Sequence, residues 1–186
     1  VFAAIGLHPI YAAAEFMKVK TDSDEGEFLV SEQEFNKEAY KEIALSGGNK
    51  VVAIGEIGLD YYYKPKTAAK LQQFKEKQKR VFLEQIGLAE ELNLPLIIHC
   101  RMAHNDLIDI LKNYIPSDKN YKLRGVIHCF TGSLEQAKRY IELEFFLGIN
   151  GIIYKLNLDE IVKNISLEYM VVETDCPYLT PAPEGD

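Results

Sequence analysis

Four short segments of this chain share one pattern: an apolar run that ends in a carboxylate or an imidazole. They cover residues 51–56, 94–99, 125–128 and 169–175, and they end in Glu56, His99, His128 and Asp175. A continuous run of Val, Ile and Leu of this length is typical of a parallel β-strand buried on both faces. An α/β barrel carries its functional side chains at the ends of such strands. The pattern therefore predicts an α/β fold with a site built from strand ends.

The composition is that of an ordinary soluble domain. The chain has 186 residues, of which 47% are hydrophobic and 26% charged, enough for one well-buried core. Its apolar runs are far shorter than the roughly 18 residues that a membrane span needs, and no basic-then-apolar signal segment opens the chain. These features predict a cytoplasmic protein that does not associate with membranes.

The charge is unevenly distributed along the chain. The net charge of −7 argues against a broad basic face for nucleic acid. Residues 15–42 carry nine acidic and four basic side chains, whereas residues 64–80 carry seven basic and one acidic. The basic stretch follows Glu56 closely and could contact a phosphate backbone near the site. The alternative, which we favour, is a solvated helix face.

The order of predicted elements defines the fold class. Apolar runs predict six strands, which lie near residues 1–5, 51–56, 94–100, 123–129, 145–153 and 169–174. Three- and four-residue apolar spacing predicts helices between them, including a long one over 71–93 that is interrupted by Gln78 and Gln85. Residues 11–31 are predicted to be an acidic loop, and Ser31 with Glu34 forms a capping box for the next helix. Alternating strands and helices imply a parallel sheet.

The chain therefore reads as one incomplete (β/α) barrel hydrolase domain over residues 1–186, with about six of the eight strands of a TIM barrel. In such a barrel the chemistry lies at the carboxyl ends of the strands, where all four candidate residues lie. A single histidine there is weak evidence, because many are core or loop histidines. Together, Glu56, His99, His128 and Asp175 predict a metal site.

Each candidate ligand has its own capacity. Glu56 can bridge two cations because a carboxylate offers two oxygens, while neutral His99 and His128 each offer one lone pair. Asp175 could bind a metal, accept a proton from water, or do both in sequence. Glu173 should face the same way one layer deeper, where a buried carboxylate needs a partner that the sequence does not identify.

Three cysteines each directly follow a candidate ligand: Cys100, Cys129 and Cys176. Because side chains alternate along a strand, these thiols should point outward beneath the helices. We therefore expect buried, reduced thiols rather than zinc ligands.

The assembled phrases closely resemble the TatD family of metal-dependent deoxyribonucleases, a branch of the amidohydrolase-like TIM barrels. The matching phrases are Gly-Leu-His-Pro, Gly-Glu-Ile-Gly-Leu-Asp-Tyr, Ile-His-Cys-Arg, His-Cys-Phe-Thr-Gly and Glu-Thr-Asp-Cys-Pro-Tyr, at residues 6–9, 55–61, 98–101, 128–132 and 173–178. The resemblance covers essentially the whole chain except the acidic insertion. It implies hydrolysis of DNA phosphodiester bonds, at ends or in single strands, by a metal-activated water.

The same resemblance implies a role for each site residue. Glu56 would bridge two metals, His99 and His128 would complete the second metal position, and Asp175 would serve the first metal and the attacking water. Glu56 and Asp175 would thus be the catalytic residues. His8 and Arg101 would lie near the substrate phosphate. The ligand set suits one or two divalent ions, Mg²⁺, Mn²⁺ or Zn²⁺. DNA is the expected partner, and no stable protein partner is evident.

Departures from the family pattern keep alternatives open. The His-x-His strand that supplies two ligands to the first metal is missing, as is the sequence that follows Pro181 in the family, and Met102 stands where an aspartate is common. We therefore expect a fragment that binds at most one catalytic metal well and hydrolyses little, unless His8 or His104 replaces the missing pair. The alternatives are a hydrolase of small esters, amides or lactones on the same barrel, and a non-catalytic remnant.

Overall fold

A computed structural model describes residues 1–16, 33–176 and 178–179 of the chain. The strands are β1 (Ala3–Ile5), β2 (Val51–Asp60), β3 (Leu96–Arg101), β4 (Gly125–His128), β5 (Phe145–Ile149) and β6 (Met170–Val172). The α-helices are α1 (Pro9–Ala12), α2 (Lys37–Gly47), α3 (Ala68–Leu92), α4 (His104–Asn113), α5 (Leu134–Glu142) and α6 (Asp159–Asn164). Short 3₁₀ helices cover Ala14–Phe16, Gly48–Lys50, Gly151–Tyr154 and Leu167–Tyr169.

The six strands form one parallel sheet whose spatial order is the order of the chain, β1 to β6. Within the described residues, β1 and β6 are the two edges of the sheet. Sequential, all-parallel pairing with intervening helices is the arrangement of a TIM barrel. The predicted α/β class and partial barrel are confirmed. Because all strands run the same way, their carboxyl ends meet along one edge.

The core lies between the sheet and the helices. In β3 the side chains alternate: Leu96, Ile98 and Cys100 are buried beneath the helices, while His99 and Arg101 face the other way and are partly exposed. Helices α3, α4 and α5 cover the buried face with large apolar side chains. The largest of these include Phe74, Phe82, Ile86, Leu107 and Tyr140. The packing leaves the opposite face of β3 available for a site.

Two buried glutamines of α3 bind the backbone beside the site. Gln78 accepts a hydrogen bond from the Asp60 amide (2.8 Å) and donates one to the Asp60 carbonyl (3.0 Å). Gln85 makes the same pair with Leu7, at 2.6 and 3.0 Å. Both side chains are only 1% exposed. The interruptions in the apolar pattern of this helix are therefore polar clamps that hold the chain next to His8 and at the end of β2.

Three local predictions differ from the structure. Residues 11–16 contain the end of α1 and a 3₁₀ helix rather than only loop. Residues 151–153 belong to a 3₁₀ helix instead of the fifth strand, because the Asn150 side chain accepts from the Ile152 amide and starts a turn. Helix α2 is capped by Asn36, whose side chain accepts from the Ala39 amide. The Ser31 cap lies outside the described residues.

The cysteine prediction holds for one residue of three. All three thiols are free, but only Cys100 is buried; Cys129 is half-buried and Cys176 is exposed. Cys129 and Asp175 have positive φ values of 44° and 56°. Strand alternation therefore ends before these positions and no longer sets the direction of the Cys129 and Cys176 side chains. Across the described residues, we find no helix that combines the length and hydrophobicity needed to cross a membrane.

Candidate metal centre

The four predicted ligands lie together at the carboxyl edge of the sheet. His99 Nδ1 lies 2.9 Å from Glu56 Oε1, and His128 Nε2 lies 4.0 Å from the same oxygen. His128 Nε2 also lies 3.2 Å from Asp175 Oδ1. His99 and His128 are register partners on adjacent strands, so both imidazoles approach Glu56 from the same level of the sheet.

A β-bulge directs Glu56 toward the two histidines. The pairing of β2 with β3 shifts its register between Ile54 and Ile57, which adds a residue to β2 and turns its side chains locally. At Gly55, inside the shift, an added Cβ would lie 2.5 Å from the Cβ of Ile97. Only glycine allows the two strands to approach this closely.

Strand β2 continues past Glu56 as far as Asp60, so the prediction that it ends at Glu56 is wrong. Glu56, Gly58 and Asp60 alternate on one face, and Gly58 is the register partner of His99. The His99 ring spans the two carboxylates, with Nδ1 at Glu56 and Nε2 2.9 Å from Asp60 Oδ2. A Cβ on Gly58 (φ 142°) would lie 2.0 Å from the His99 carbonyl oxygen. Glycine is therefore required where the two strands meet.

Asp60 is the site residue that sequence reasoning missed. Its side chain is 2% exposed and accepts a hydrogen bond from Arg101 Nε (2.9 Å), and Arg101 Nη2 lies 2.8 Å from the same carboxylate oxygen. Burial raises the pKa of Asp60, but the hydrogen bonds and positive charges of His99 and Arg101 outweigh burial and lower it. Asp60 follows Glu56 by four residues, and this spacing places both side chains on the same face of a continuous strand. Because the strand was predicted to end at Glu56, the alternation was not extended to Asp60.

Glu173 is the carboxylate whose partner the sequence left open, and the partner is His128. His128 Nδ1 lies 2.6 Å from Glu173 Oε2. The other carboxylate oxygen accepts from the Cys129 amide (2.6 Å) and from Asn150 Nδ2 (3.2 Å). Glu173 lies just beyond β6 rather than within it. The contacts hold its carboxylate against the far side of the His128 ring.

His99 and His128 thus share one arrangement. Each ring has one nitrogen on a supporting carboxylate, Asp60 for His99 and Glu173 for His128, and its other nitrogen directed at Glu56. A supporting carboxylate sets the tautomer of an imidazole and leaves a lone pair on the opposite nitrogen. Metal-ligating histidines in proteins have this arrangement. The donor set therefore fits a divalent cation beside Glu56.

The charge of Glu56 is also what a cation site requires. Burial raises the pKa of Glu56, but the hydrogen bond with His99 and the adjacent histidines lower it to about 2. Burial lowers the pKa of His128, but Glu173, Glu56 and Asp175 raise it to about 9. Glu56 thus stays ionised, and protons on His99 and His128 compensate its charge. A cation would displace these protons.

His8 also reaches this cluster. Its Nε2 lies 3.7 Å from Glu56 Oε1, and ligand atoms of His8, Glu56 and His99 all lie within 4.8 Å of one another, as around a metal ion. However, His8 Nδ1 accepts a hydrogen bond from the Ile10 amide (3.2 Å) at the start of α1. Burial, with a smaller contribution from His99, lowers the pKa of His8 to about 4. The neutral ring therefore carries its proton on Nε2 and presents a hydrogen-bond donor to the site.

His104, named as a substitute ligand, lies in the core instead. Its ring packs against Phe130 and Tyr140, and its Nδ1 lies 3.1 Å from the Tyr140 hydroxyl. The Nε2 atom is buried without a hydrogen-bond partner. Burial, and to a lesser extent the charge of His99, lower the pKa of His104 to about 4. The ring is therefore a neutral core group.

Three lysines of the basic stretch at residues 64–80 form ion pairs with acidic side chains. Lys75 and Lys79 lie 3.9 and 3.0 Å from Asp106 Oδ2 on α4, and Lys77 lies 2.6 Å from Glu15. These side chains are 32%, 28% and 18% exposed. They are neither a freely solvated face nor a row of unpaired cations, because acidic partners from other elements neutralise them.

Comparison with known families gives one match over the whole chain: the family model described as TatD related DNase matches residues 1–186. Two similar curated proteins are a metal-dependent hydrolase and an exonuclease. YabD of Bacillus subtilis, an uncharacterized metal-dependent hydrolase, is 38% identical over 186 residues, which are 98% of this chain and 61% of YabD. The 3'-5' ssDNA/RNA exonuclease TatD of Escherichia fergusonii is 38% identical over 144 residues, 75% of this chain and 51% of that protein.

Solved structures give the same result. YJJV, a TatD homologue from Escherichia coli K12, superposes with a TM-score of 0.69 at 30% identity, covering 98% of this chain and 60% of YJJV. A TatD-family hydrolase from Entamoeba histolytica also superposes with a TM-score of 0.69, at 28% identity, covering 96% of this chain and 51% of that protein. The chain thus spans less than two thirds of the length of these relatives.

Proposed function

This chain belongs to the TatD related DNase family, and from that premise we propose that the complete gene product is a metal-dependent phosphodiesterase that hydrolyses DNA. One observation carries the proposal. Two histidines on neighbouring strands are each braced by a carboxylate and directed at the same oxygen of Glu56. Bracing of this kind is expected of metal ligands and is unnecessary for histidines that only fill a core.

The residues that would hold the cation are Glu56, His99, His128 and Asp175. Their oxygens suit Mg²⁺ or Mn²⁺, and the two imidazoles also admit Zn²⁺. When bound, a divalent cation polarises the scissile phosphate and makes a water molecule more acidic. Glu56, central in the group, would provide negative charge for the cation.

The remaining side chains would bind the substrate and move the proton. Asp175, at the rim of the cluster and 31% exposed, would accept the proton of the attacking water. His8 would donate its Nε2 hydrogen to a phosphate oxygen, a role that leaves its hydrogen bond with Ile10 intact. Arg101, held by Asp60 and 36% exposed, would present its remaining guanidinium hydrogens to the phosphate.

The test uses the complete gene product, stripped of metal and then supplied with Mg²⁺, Mn²⁺ or Zn²⁺. We expect cleavage of a fluorescent single-stranded oligodeoxynucleotide to disappear with chelator and return with metal. Glu56→Gln should reduce cleavage to less than about a tenth, a barrier increase of at least about 1.4 kcal/mol. The amide keeps the volume of Glu56 but loses its charge.

The matched control is Glu135→Gln, which alters an exposed glutamate on α5 and should cleave normally. Metal content, measured on the same samples, should fall only in the Glu56 variant. Cleavage that survives exhaustive chelation would contradict the proposal. So would a protein that hydrolyses p-nitrophenyl acetate but no oligonucleotide.

A further inference from the structure

An exposed tyrosine stands beside the candidate metal centre. Tyr62 follows the end of β2, and its amide donates a hydrogen bond of 2.9 Å to Asp60 Oδ1. Its side chain is 53% exposed. The exposed part of an aromatic ring at the edge of a site is apolar area that a ligand can cover.

Arg101 attaches this ring to the site. The guanidinium carbon lies 4.4 Å from the centroid of the Tyr62 ring and 5.2 Å from that of Tyr63. The two tyrosine rings meet edge to face at 4.8 Å. Because Asp60 binds Arg101 through Nε and Nη2, the guanidinium cannot swing away. The Tyr62 ring is therefore backed by the cation of Arg101, and about half of its side chain, 53%, stays exposed to solvent.

We infer that Tyr62, backed by Arg101, is a stacking site for one unpaired nucleobase next to the phosphate that is cleaved. This inference rests on the proposed function and names a substrate contact for it. The ring supplies a flat apolar surface that any base can cover, and Arg101 lies between that surface and the site. Base–aromatic stacking of this kind is a general means of holding single strands.

The charge beyond the ring fits a strand that leaves the site past Tyr62. Lys64 and Lys66 follow in the chain and are exposed. Among the described residues, neither lysine has an acidic partner within ion-pair distance, in contrast to Lys75 and Lys79. Unpaired lysines contribute to phosphate binding by releasing counterions. Lys64 and Lys66 thus supply two such charges in the segment that directly follows Tyr62.

The stacking site should favour unpaired ends. A base inside a duplex is covered on both faces by its neighbours, so it can reach Tyr62 only after unpairing and unstacking, which require energy. A single strand or a frayed terminus offers a free base. The geometry therefore favours single-stranded DNA over internal positions of a duplex.

The experiment uses the complete gene product with Glu56→Gln, so that strands are bound and not consumed. The probes are short single-stranded oligodeoxynucleotides with 2-aminopurine at one position, moved along the strand in separate probes. We expect stacking to quench the fluorescence at one position. Tyr62→Ala should abolish that quenching and raise Kd about tenfold, whereas Tyr62→Phe should retain both the quenching and the affinity.

A strand that is abasic at the quenched position separates stacking from other effects. On this strand, the Tyr62→Ala variant should bind as tightly as the protein that retains Tyr62, because the base that would stack on the ring is absent. An equal loss on the abasic strand, or no quenching at any position with Tyr62 present, would overturn the inference. Tyr154→Ala, which removes another exposed tyrosine (61%), is the matched control and should leave Kd unchanged; an equal loss there would also overturn the inference.

Failure of this inference and failure of the proposed function are distinguishable. With Glu56 restored, a protein that cleaves DNA equally well, with the same KM, in the Tyr62 and Tyr62→Ala forms retains the proposed function and loses the stacking site. A protein that quenches the probe through Tyr62 but hydrolyses no DNA retains the stacking site and loses the proposed function.

Discussion

Two regions of this protein gather charged side chains, and they differ in charge balance rather than in exposure. At the carboxyl edge of the sheet, Glu56 and Asp175 are 34% and 31% exposed. Between α3 and α4, Asp106 is 31% exposed and Lys79 28%. Exposure alone would not separate a functional cluster from a structural one.

The charges of the two regions are balanced differently. On the helix face, Asp106 is paired with Lys75 and Lys79 and also accepts a hydrogen bond from the Tyr61 hydroxyl. At the sheet edge, four carboxylates meet a single arginine: Glu56, Asp60, Glu173, Asp175 and Arg101. Histidines compensate the excess only by holding protons. An excess of carboxylates around directed imidazoles is the donor set of the cation site proposed above, whereas matched pairs indicate a structural role.

The sharpest test of this contrast replaces one aspartate in each region. Asp60→Asn should weaken metal binding and reduce nuclease activity by about 10- to 100-fold, because His99 loses the carboxylate that sets its tautomer. Asp106→Asn should change both by less than about threefold, since it breaks only partly exposed ion pairs. Calorimetric titration with Mn²⁺ and oligonucleotide cleavage measure the two effects. Equal losses in the two variants would show that charge balance does not distinguish these regions.

His104 extends the comparison to a histidine in the core. Its pKa of about 4 lies below the ordinary value of 6.5, so the unfolded chain binds more protons than the folded chain between pH 4 and 6.5. Stability should therefore rise with pH across this window and fall as the pH drops through it. We expect the wild type to lose about 2 to 3 kcal/mol more than His104→Asn between pH 6.5 and 4.

Urea unfolding of both proteins at a series of pH values checks this expectation. The difference between them removes the contributions of all other titrating groups that the variant leaves unchanged. Parallel stability curves would mean that the pKa of His104 is the same in the folded and unfolded protein, and would contradict this expectation.

The smallest expected effect concerns the lysines of α3. Replacing Lys75, Lys77 and Lys79 together by Gln should change the salt dependence of oligonucleotide binding by less than about one unit, because acidic partners already neutralise these charges. Replacing Lys64 and Lys66 should lower the slope by about one to two units. Fluorescence titrations at several salt concentrations measure the slopes. A loss of two or more units in the triple variant would show that α3 follows the DNA backbone.

The primary structure alone indicated the parallel α/β architecture and the four residues Glu56, His99, His128 and Asp175 that gather at the carboxyl edge of the sheet. Both follow from local regularities: a buried parallel strand is a continuous apolar run, and the first polar side chain of that run lies toward its carboxyl end. The change from strand β5 to a 3₁₀ helix at Gly151 could not be predicted in this way, because Ile and Tyr occur in both strands and turns. The Asn150 side chain, which accepts a hydrogen bond from the Ile152 amide, favours the turn.

The carboxylates that support the two histidines could not be assigned in the same manner. Asp60 reaches His99 only because a bulge at Gly55 lets β2 continue, and a bulge depends on how closely the neighbouring strand approaches. Glu173 meets His128 across 45 residues of chain. Periodicity describes one strand at a time, whereas the partner of a buried charge depends on which strand ends the folded sheet brings into contact.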